Sequence, residues 1–409
     1  MKAILAVLLL CVGVHAAEAP AFPAVARRLG EAVRSGQAAG ALHLVVRNGE
    51  VIHLAAAGTS NPDTGAPFSP DTLVRIYSMT KPITSVAAMI LFERGRFQLD
   101  DPVARFIPAF TNSTVLEKSG ETFRQVVPKR PITVRDVLTH ATGYSYGDEK
   151  EVRAFYERAG LRYRGPHELF PPEMTIAHAA EALARIPALH HPGGRFTYGF
   201  NTDLLGRLIE VWAGQPLDVF LREAVFAPLK MSDTGFTVPA GKRDRFASCY
   251  GQRDGKRAVA DPAATSPFND GFAFLSGGGG LVSTARDYAR FGQMLVDGGV
   301  FEGRRLLQED TLRQMFTNQL SGGDGGFRFG LGLEIKDVTL GSGAELRTTT
   351  EYTWGGYAST DFRVVPSERL IQIVLRQEVP FDNTLANEMA AAVYRAWPPL
   401  KPPDRPARP

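Results

Sequence analysis

Strand-forming sequence stands at both ends of this chain and is largely missing from the middle. Ala41 to Val46 and Val51 to Ala56 read as two strands joined at Asn48-Gly49, a dipeptide that favours a tight hairpin turn. Far downstream, Phe329 to Ile335, Tyr357 to Val365 and Arg369 to Arg376 read as strands, the last two joined through Pro366-Ser367-Glu368. Between the groups lie helical patterns: Val134 to Thr139, Glu149 to Arg158, Ile176 to Ile186, Thr202 to Trp212 and Pro216 to Phe226. Thr284-Ala285-Arg286-Asp287 reads as a capping box opening a helix that runs to Gly298, and a last helix spans Asn383 to Trp397. The simplest assembly joins the two ends into one antiparallel sheet flanked by helices. The expected class is therefore α+β, with residues 17–94 and 275–397 forming a discontinuous sandwich and residues 95–274 an inserted helical lobe.

The termini read differently. Met1-Lys2 followed by apolar Ala3 to Val14 and a small residue at Ala16 is the pattern of a signal peptide over residues 1–16, too short to span a bilayer. The expected mature protein is exported, to a periplasm or beyond the cell, with no stable membrane insertion. Residues 398–409 carry six prolines and read as a disordered tail. A net charge of +3, with both signs interspersed, gives no basic run for nucleic acid. Cys249 is left without a partner once Cys11 departs with the signal, so it reads as a core residue. His190-His191 before Pro192 reads as a loop, and no set of Cys and His at metal-ligand spacing is present. No metal and no cofactor are expected. Asn112-Ser113-Thr114 is a glycosylation sequon that would matter only in a eukaryotic secretory pathway.

Chemistry concentrates at Ser78-Met79-Thr80-Lys81. Ile83, Val86, Ala87, Ile90 and Leu91 follow with the spacing of one buried helix face, and Gly95 stops the run. Residues three apart share a helix face, so the Ser78 hydroxyl and the Lys81 amine come within hydrogen-bond reach. Pro82 is tolerated only because it lies in the first turn. A serine at a helix N-terminus beside an amine is a candidate activated nucleophile. Tyr198 is a candidate for the base and leaving-group acid, provided a cation such as Lys81 stabilises its phenolate. Trp354-Gly355-Gly356-Tyr357 reads as a turn opening a strand, its glycines allowing close approach of a substrate. The backbone N–H groups of Ser78 and Tyr357 are the candidate oxyanion hole. Gly143-Tyr144-Ser145-Tyr146-Gly147 also matches the G-x-S-x-G nucleophile elbow. That motif needs a strand before it and a histidine late in the chain; here a helical pattern precedes it, and no histidine follows His191.

Taken together, Ser78-x-x-Lys81, Tyr198 and Trp354-Gly355-Gly356 resemble the serine β-lactamase-like superfamily. It holds class C β-lactamases, D-Ala-D-Ala carboxypeptidases and family VIII carboxylesterases. Leu99 to Val103, Leu138 to Gly143, Pro228 to Met231 and Gly279 to Ala285 also look familiar from it, and the resemblance covers residues 30 to 397. It implies that Ser78 is acylated, that Lys81 takes or holds its proton, and that Tyr198 relays a proton to the leaving group. Which of Lys81 and Tyr198 is the base stays open.

Two departures bear on substrate. The tyrosine motif of β-lactamases usually reads Tyr-x-Asn, with the asparagine on the substrate amide; here the position is Phe200, and Asn201 comes one residue late. The late strand usually carries Lys or His where this chain has Trp354. A charge-assisted hydrogen bond contributes roughly 1.5–3 kcal/mol, so its loss disfavours an anionic lactam or peptide. Trp354, Gly355, Gly356 and Phe200 are thus the expected substrate-binding residues. The expected function is a serine carboxylesterase for small to medium esters. The alternatives are a β-lactamase or D-Ala-D-Ala carboxypeptidase, and a non-catalytic binding protein, which would be expected to have lost Ser78, Lys81 or Tyr198.

Overall fold

The strand Gly40–Arg47 is buried from Gly40 to Val46, and its side chains alternate between two covered faces. Leu42, Leu44 and Val46 join one hydrophobic cluster, and Ala41 and Val45 join another. The computed structural model describes residues 22–161, 173–320 and 325–397. The signal segment and the Pro-rich tail read from the sequence lie outside the described residues, as do residues 321–324.

An eight-stranded antiparallel sheet forms the centre of the fold. From edge to edge it runs Arg328–Phe329, Glu334–Leu340, Arg347–Gly356, Thr360–Val365, Leu370–Arg376, Gly40–Arg47, Glu50–Asn61 and Ala66–Pro67. The two chain ends meet where Leu42 pairs with Leu375 and Leu44 with Ile373. Asn48 and Gly49 both take left-handed conformations, at φ 51° and 83°, which close the first hairpin. On one face the helices Pro23–Arg34 and Thr384–Arg395 pack with Val45, Val365 and Val374. On the other lie Thr80–Glu93 and Ala285–Val296, whose Phe291 meets Phe362. The cluster on this face continues into helices Val134–Leu138, Ile176–Leu183 and Asn201–Ala213.

Several boundaries differ from the sequence reading. Arg347–Gly356 is a full strand that the pattern did not announce, so Trp354, Gly355 and Gly356 end a strand rather than open one. The run Phe329 to Ile335 is broken at Gly332, φ 101°, where an added Cβ would lie 2.2 Å from Ser85 Oγ. Pairing resumes at Glu334 and extends to Leu340. Residues 95–274 also hold two hairpins, Val115–Ser119 with Thr122–Val126 and Cys249–Arg253 with Lys256–Asp261. Thr284 caps its helix by accepting from the Asp287 N–H. The Asp287 carboxylate does not close the box; it accepts from the Asp233 N–H and Thr234 Oγ1 instead.

Candidate active site

Ser78 lies in the 3-10 turn Tyr77–Met79, which leads directly into the Thr80–Glu93 helix. Tyr77 adopts φ 40°, a left-handed conformation that costs energy for a bulky residue and is held only when its surroundings fix it. Here its ring is met edge-on by Phe268 at 6.2 Å and Tyr357 at 6.0 Å. The turn leaves Ser78 partly exposed while Met79, Thr80 and Lys81 are buried.

Lys81 Nζ donates to Ser78 Oγ at 3.1 Å, one helical turn away. It also donates to Tyr146 Oη at 3.1 Å and to the Gly278 carbonyl at 2.6 Å. The three donors of an ammonium thus meet three acceptors. Tyr198 arrives from the loop before the Asn201–Ala213 helix and donates from Oη to Ser78 Oγ at 2.6 Å. The Lys81 ammonium stands 4.7 Å from the Tyr198 ring centre. Ser78 and Lys81, three residues apart, and Tyr198, 120 positions from Ser78, therefore share one hydrogen-bonded cluster.

The end of the Arg347–Gly356 strand closes the opposite side. A Cβ at Gly356 would fall 2.2 Å from the Ile76 carbonyl oxygen, so only glycine lets the strand lie this close to the Ser78 turn. Tyr357, the next residue, stacks edge-on against Tyr77. Trp354 is half-buried, 5.5 Å from Tyr198 and 5.3 Å from Phe329, ring centre to ring centre.

Phe200 takes a different place from the one expected of a substrate contact. It is 2% exposed, edge-on to Tyr146 at 5.0 Å and stacked on Tyr156 at 5.9 Å, so it supports Tyr146 from behind. Asn201 is fully buried and ties the helix start to its neighbours, donating to the Tyr144 and Thr197 carbonyls. The 143–147 motif is a buried turn. Ser145 Oγ donates to Glu149 and accepts from the Gly147 N–H, with no strand ahead of it.

Three contributors escaped the sequence reading: Tyr146, Gly278 and Asp203. Asp203 is buried and accepts from Ser276 Oγ at 2.5 Å and from the Gly278 N–H at 3.0 Å, which holds the residue whose carbonyl receives Lys81. Burial raises the Asp203 carboxyl above its ordinary value, while the nearby Lys81 charge pulls it back. His140, whose ring centre is 5.2 Å from that of Tyr198, is held neutral first by burial and then by the Lys81 charge. The arrangement can activate a serine hydroxyl, hand a proton to a departing group and receive an oxyanion near backbone N–H groups.

The comparisons with known proteins show the family and the fold. The family model described as Beta-lactamase matches residues 25–402. Protein Rv1367c of Mycobacterium tuberculosis is 33% identical over 387 residues, covering 89% of this chain and 91% of that protein. Esterase EstB of Burkholderia gladioli is 31% identical, covering 64% of this chain and 66% of its own length. Among solved structures, EstCE1, described as a hydrolase with promiscuous acyltransferase activity, superposes with a TM-score of 0.73 at 25% identity. That match covers 91% of this chain and 99% of EstCE1. With a serine β-lactamase fold, and with esterase and acyltransferase relatives, the chain belongs to the Beta-lactamase family.

Proposed function

We propose that this protein is an exported serine carboxylesterase that works through an acyl-enzyme on Ser78. The observation that carries the reading is the convergence of Tyr198 Oη, at 2.6 Å, and Lys81 Nζ, at 3.1 Å, on Ser78 Oγ. In the first half-reaction Ser78 Oγ attacks the ester carbonyl carbon, and its proton passes to the Lys81–Tyr198 pair, whose Nζ and Oη both stand within hydrogen-bond distance of Oγ. The oxyanion is received by the N–H groups of Ser78 and Tyr357. The bond to the alkoxy oxygen then breaks, and Tyr198 returns its proton to that oxygen, so the alcohol leaves neutral. In the second half a water molecule attacks the acyl carbon, gives one proton to Tyr198, and Ser78 recovers it as the acid departs.

Trp354 supports an ester over an anionic lactam. It places an apolar ring 5.5 Å from Tyr198, where a cation would otherwise receive a substrate carboxylate. The relative named Esterase EstB supports the same reading. The test is kcat/KM for p-nitrophenyl butyrate beside a chromogenic cephalosporin. A preference for the ester of at least ~10²-fold supports an esterase, and the reverse order would assign a β-lactamase with the same machinery.

A further inference from the structure

We infer that the alcohol half of the ester, rather than the acyl half, carries the specificity of this site, and that it bears a planar aromatic ring. This rests on the esterase reading above. Tyr198 returns the proton to the leaving oxygen, so the alcohol half lies on the Tyr198 side of Ser78. The side chains on that side are aromatic. Trp354 stands 5.5 Å from Tyr198, and Phe196 is stacked on Tyr198 at 6.4 Å. Phe329 links the two, 5.3 Å from Trp354 and 5.1 Å from Phe196. Phe327 extends the surface outward, 4.8 Å from Phe196.

Trp354, Phe196 and Phe327 are half-buried, so each keeps part of its ring accessible, whereas Phe329 is buried beneath them. Arg328, between the two phenylalanines, is paired with Asp337 at 2.8 Å, and it lines with Phe327, Glu351 and Arg363 a polar cavity of about 320 Å³, so that Phe327 stands between that cavity and the Phe196 ring. His140, also against Phe196 and Tyr198, is held neutral by burial. Among the described residues, the rings of Trp354, Phe196 and Phe329 make a surface of faces and edges that discriminates by area and by ring geometry, since aromatic pairs prefer offset or edge-on contacts. A planar ring attached through one carbon to the leaving oxygen meets Trp354 and Phe196 in that way. Tyr146, 5.5 Å from Tyr198 ring centre to ring centre, differs from these rings in that its Oη receives the Lys81 ammonium.

The experiment is a pH-stat measurement of kcat/KM on ethyl, cyclohexylmethyl and benzyl butyrate, together with ethyl phenylacetate, which carries the ring on the acyl half. We expect benzyl butyrate to exceed ethyl butyrate by about tenfold or more, the scale of discrimination by an apolar pocket. It should also exceed cyclohexylmethyl butyrate severalfold, and ethyl phenylacetate should gain nothing over ethyl butyrate. Phe327→Ala and the milder Phe327→Leu should each reduce the benzyl-to-ethyl ratio. Equal rates on the three butyrates, or a preference that follows the ring into the acyl half, would overturn this inference and leave the Ser78 esterase intact. No hydrolysis of any of the four esters would overturn the esterase reading beneath it.

Discussion

The Gly278 carbonyl accepts from the Lys81 ammonium at 2.6 Å, closer than the 3.1 Å between that ammonium and Ser78 Oγ. Lys81 is thus anchored as much by a loop glycine as by Ser78. Gly278 is held in turn at its N–H by Asp203.

Asp203→Ala should therefore act on catalysis without touching substrate. Removing the carboxylate frees the Gly278 N–H and Ser276 Oγ and lets the Lys81 acceptor drift. A misplacement of about 1 Å can cost ~10² in rate. We expect kcat to fall ~10- to 100-fold with a smaller change in KM, and Asp203→Asn, which keeps an acceptor oxygen, to recover part of the loss. Steady-state kinetics of the two variants check this; equal and full activity in both would separate Asp203 from Lys81.

Gly356→Ala should damage both the site and the fold. Its Cβ would fall 2.2 Å from the Ile76 carbonyl and 2.3 Å from Thr360 Oγ1, contacts that force the strand away from the Ser78 turn. Overpacking of this kind costs roughly 1–3 kcal/mol, and a displaced oxyanion donor costs ~10²–10³ in rate. Urea unfolding and kcat on p-nitrophenyl butyrate measure the two effects separately.

Ser145→Ala should leave turnover nearly unchanged and lower stability by about 1 kcal/mol, the net worth of a buried hydrogen bond. Its hydroxyl serves Glu149 and the Gly147 N–H and makes no contact with Ser78. Loss of activity in a folded Ser145→Ala protein would instead make the 143–147 turn part of the chemistry.

Local signals and distant ones fared differently in the sequence. The Ser78–Lys81 spacing, the Asn48-Gly49 turn and the stop at Gly95, φ 69°, all act within a few residues, so periodicity and turn chemistry expose them. The Arg347–Gly356 strand begins Arg-Thr-Thr-Thr-Glu, a polar run whose β-branched residues are its one strand signal. Tyr146 reaches Lys81 across 65 positions and Gly278 across 197, and no pattern in a single chain announces such contacts. Phe200 was read from its place in a motif. Burial against Tyr146 and Tyr156 depends on how the loops pack, so its role behind the site became visible only in the fold.

Acid should destabilise the protein through its buried histidines. His43 is lowered to about 3, chiefly by burial and then by the proximity of His53, with its Gln372 hydrogen bond opposing; His53 is lowered to about 4 by burial. Both folded values lie below the unfolded value of about 6.5, so the unfolded chain takes protons first. Stability from these residues is complete above pH 6.5 and is lost as pH falls toward 4 and then 3. At 1.36 kcal/mol per pH unit, each loses about 2 kcal/mol between pH 6.5 and 5. Urea unfolding at pH 7 and 5 should show this drop, and His43→Gln should lessen it by about one proton's worth. A flat profile would contradict the neutral pair.

The most direct test of the account is kcat/KM on p-nitrophenyl butyrate for the protein beside Ser78→Ala, with circular dichroism to show that the variant is folded. The account predicts a fall of at least ~10³, since the hydroxyl at the centre of the Tyr198 and Lys81 contacts is the acylated group. Undiminished hydrolysis by folded Ser78→Ala protein would contradict it and move the chemistry away from Ser78.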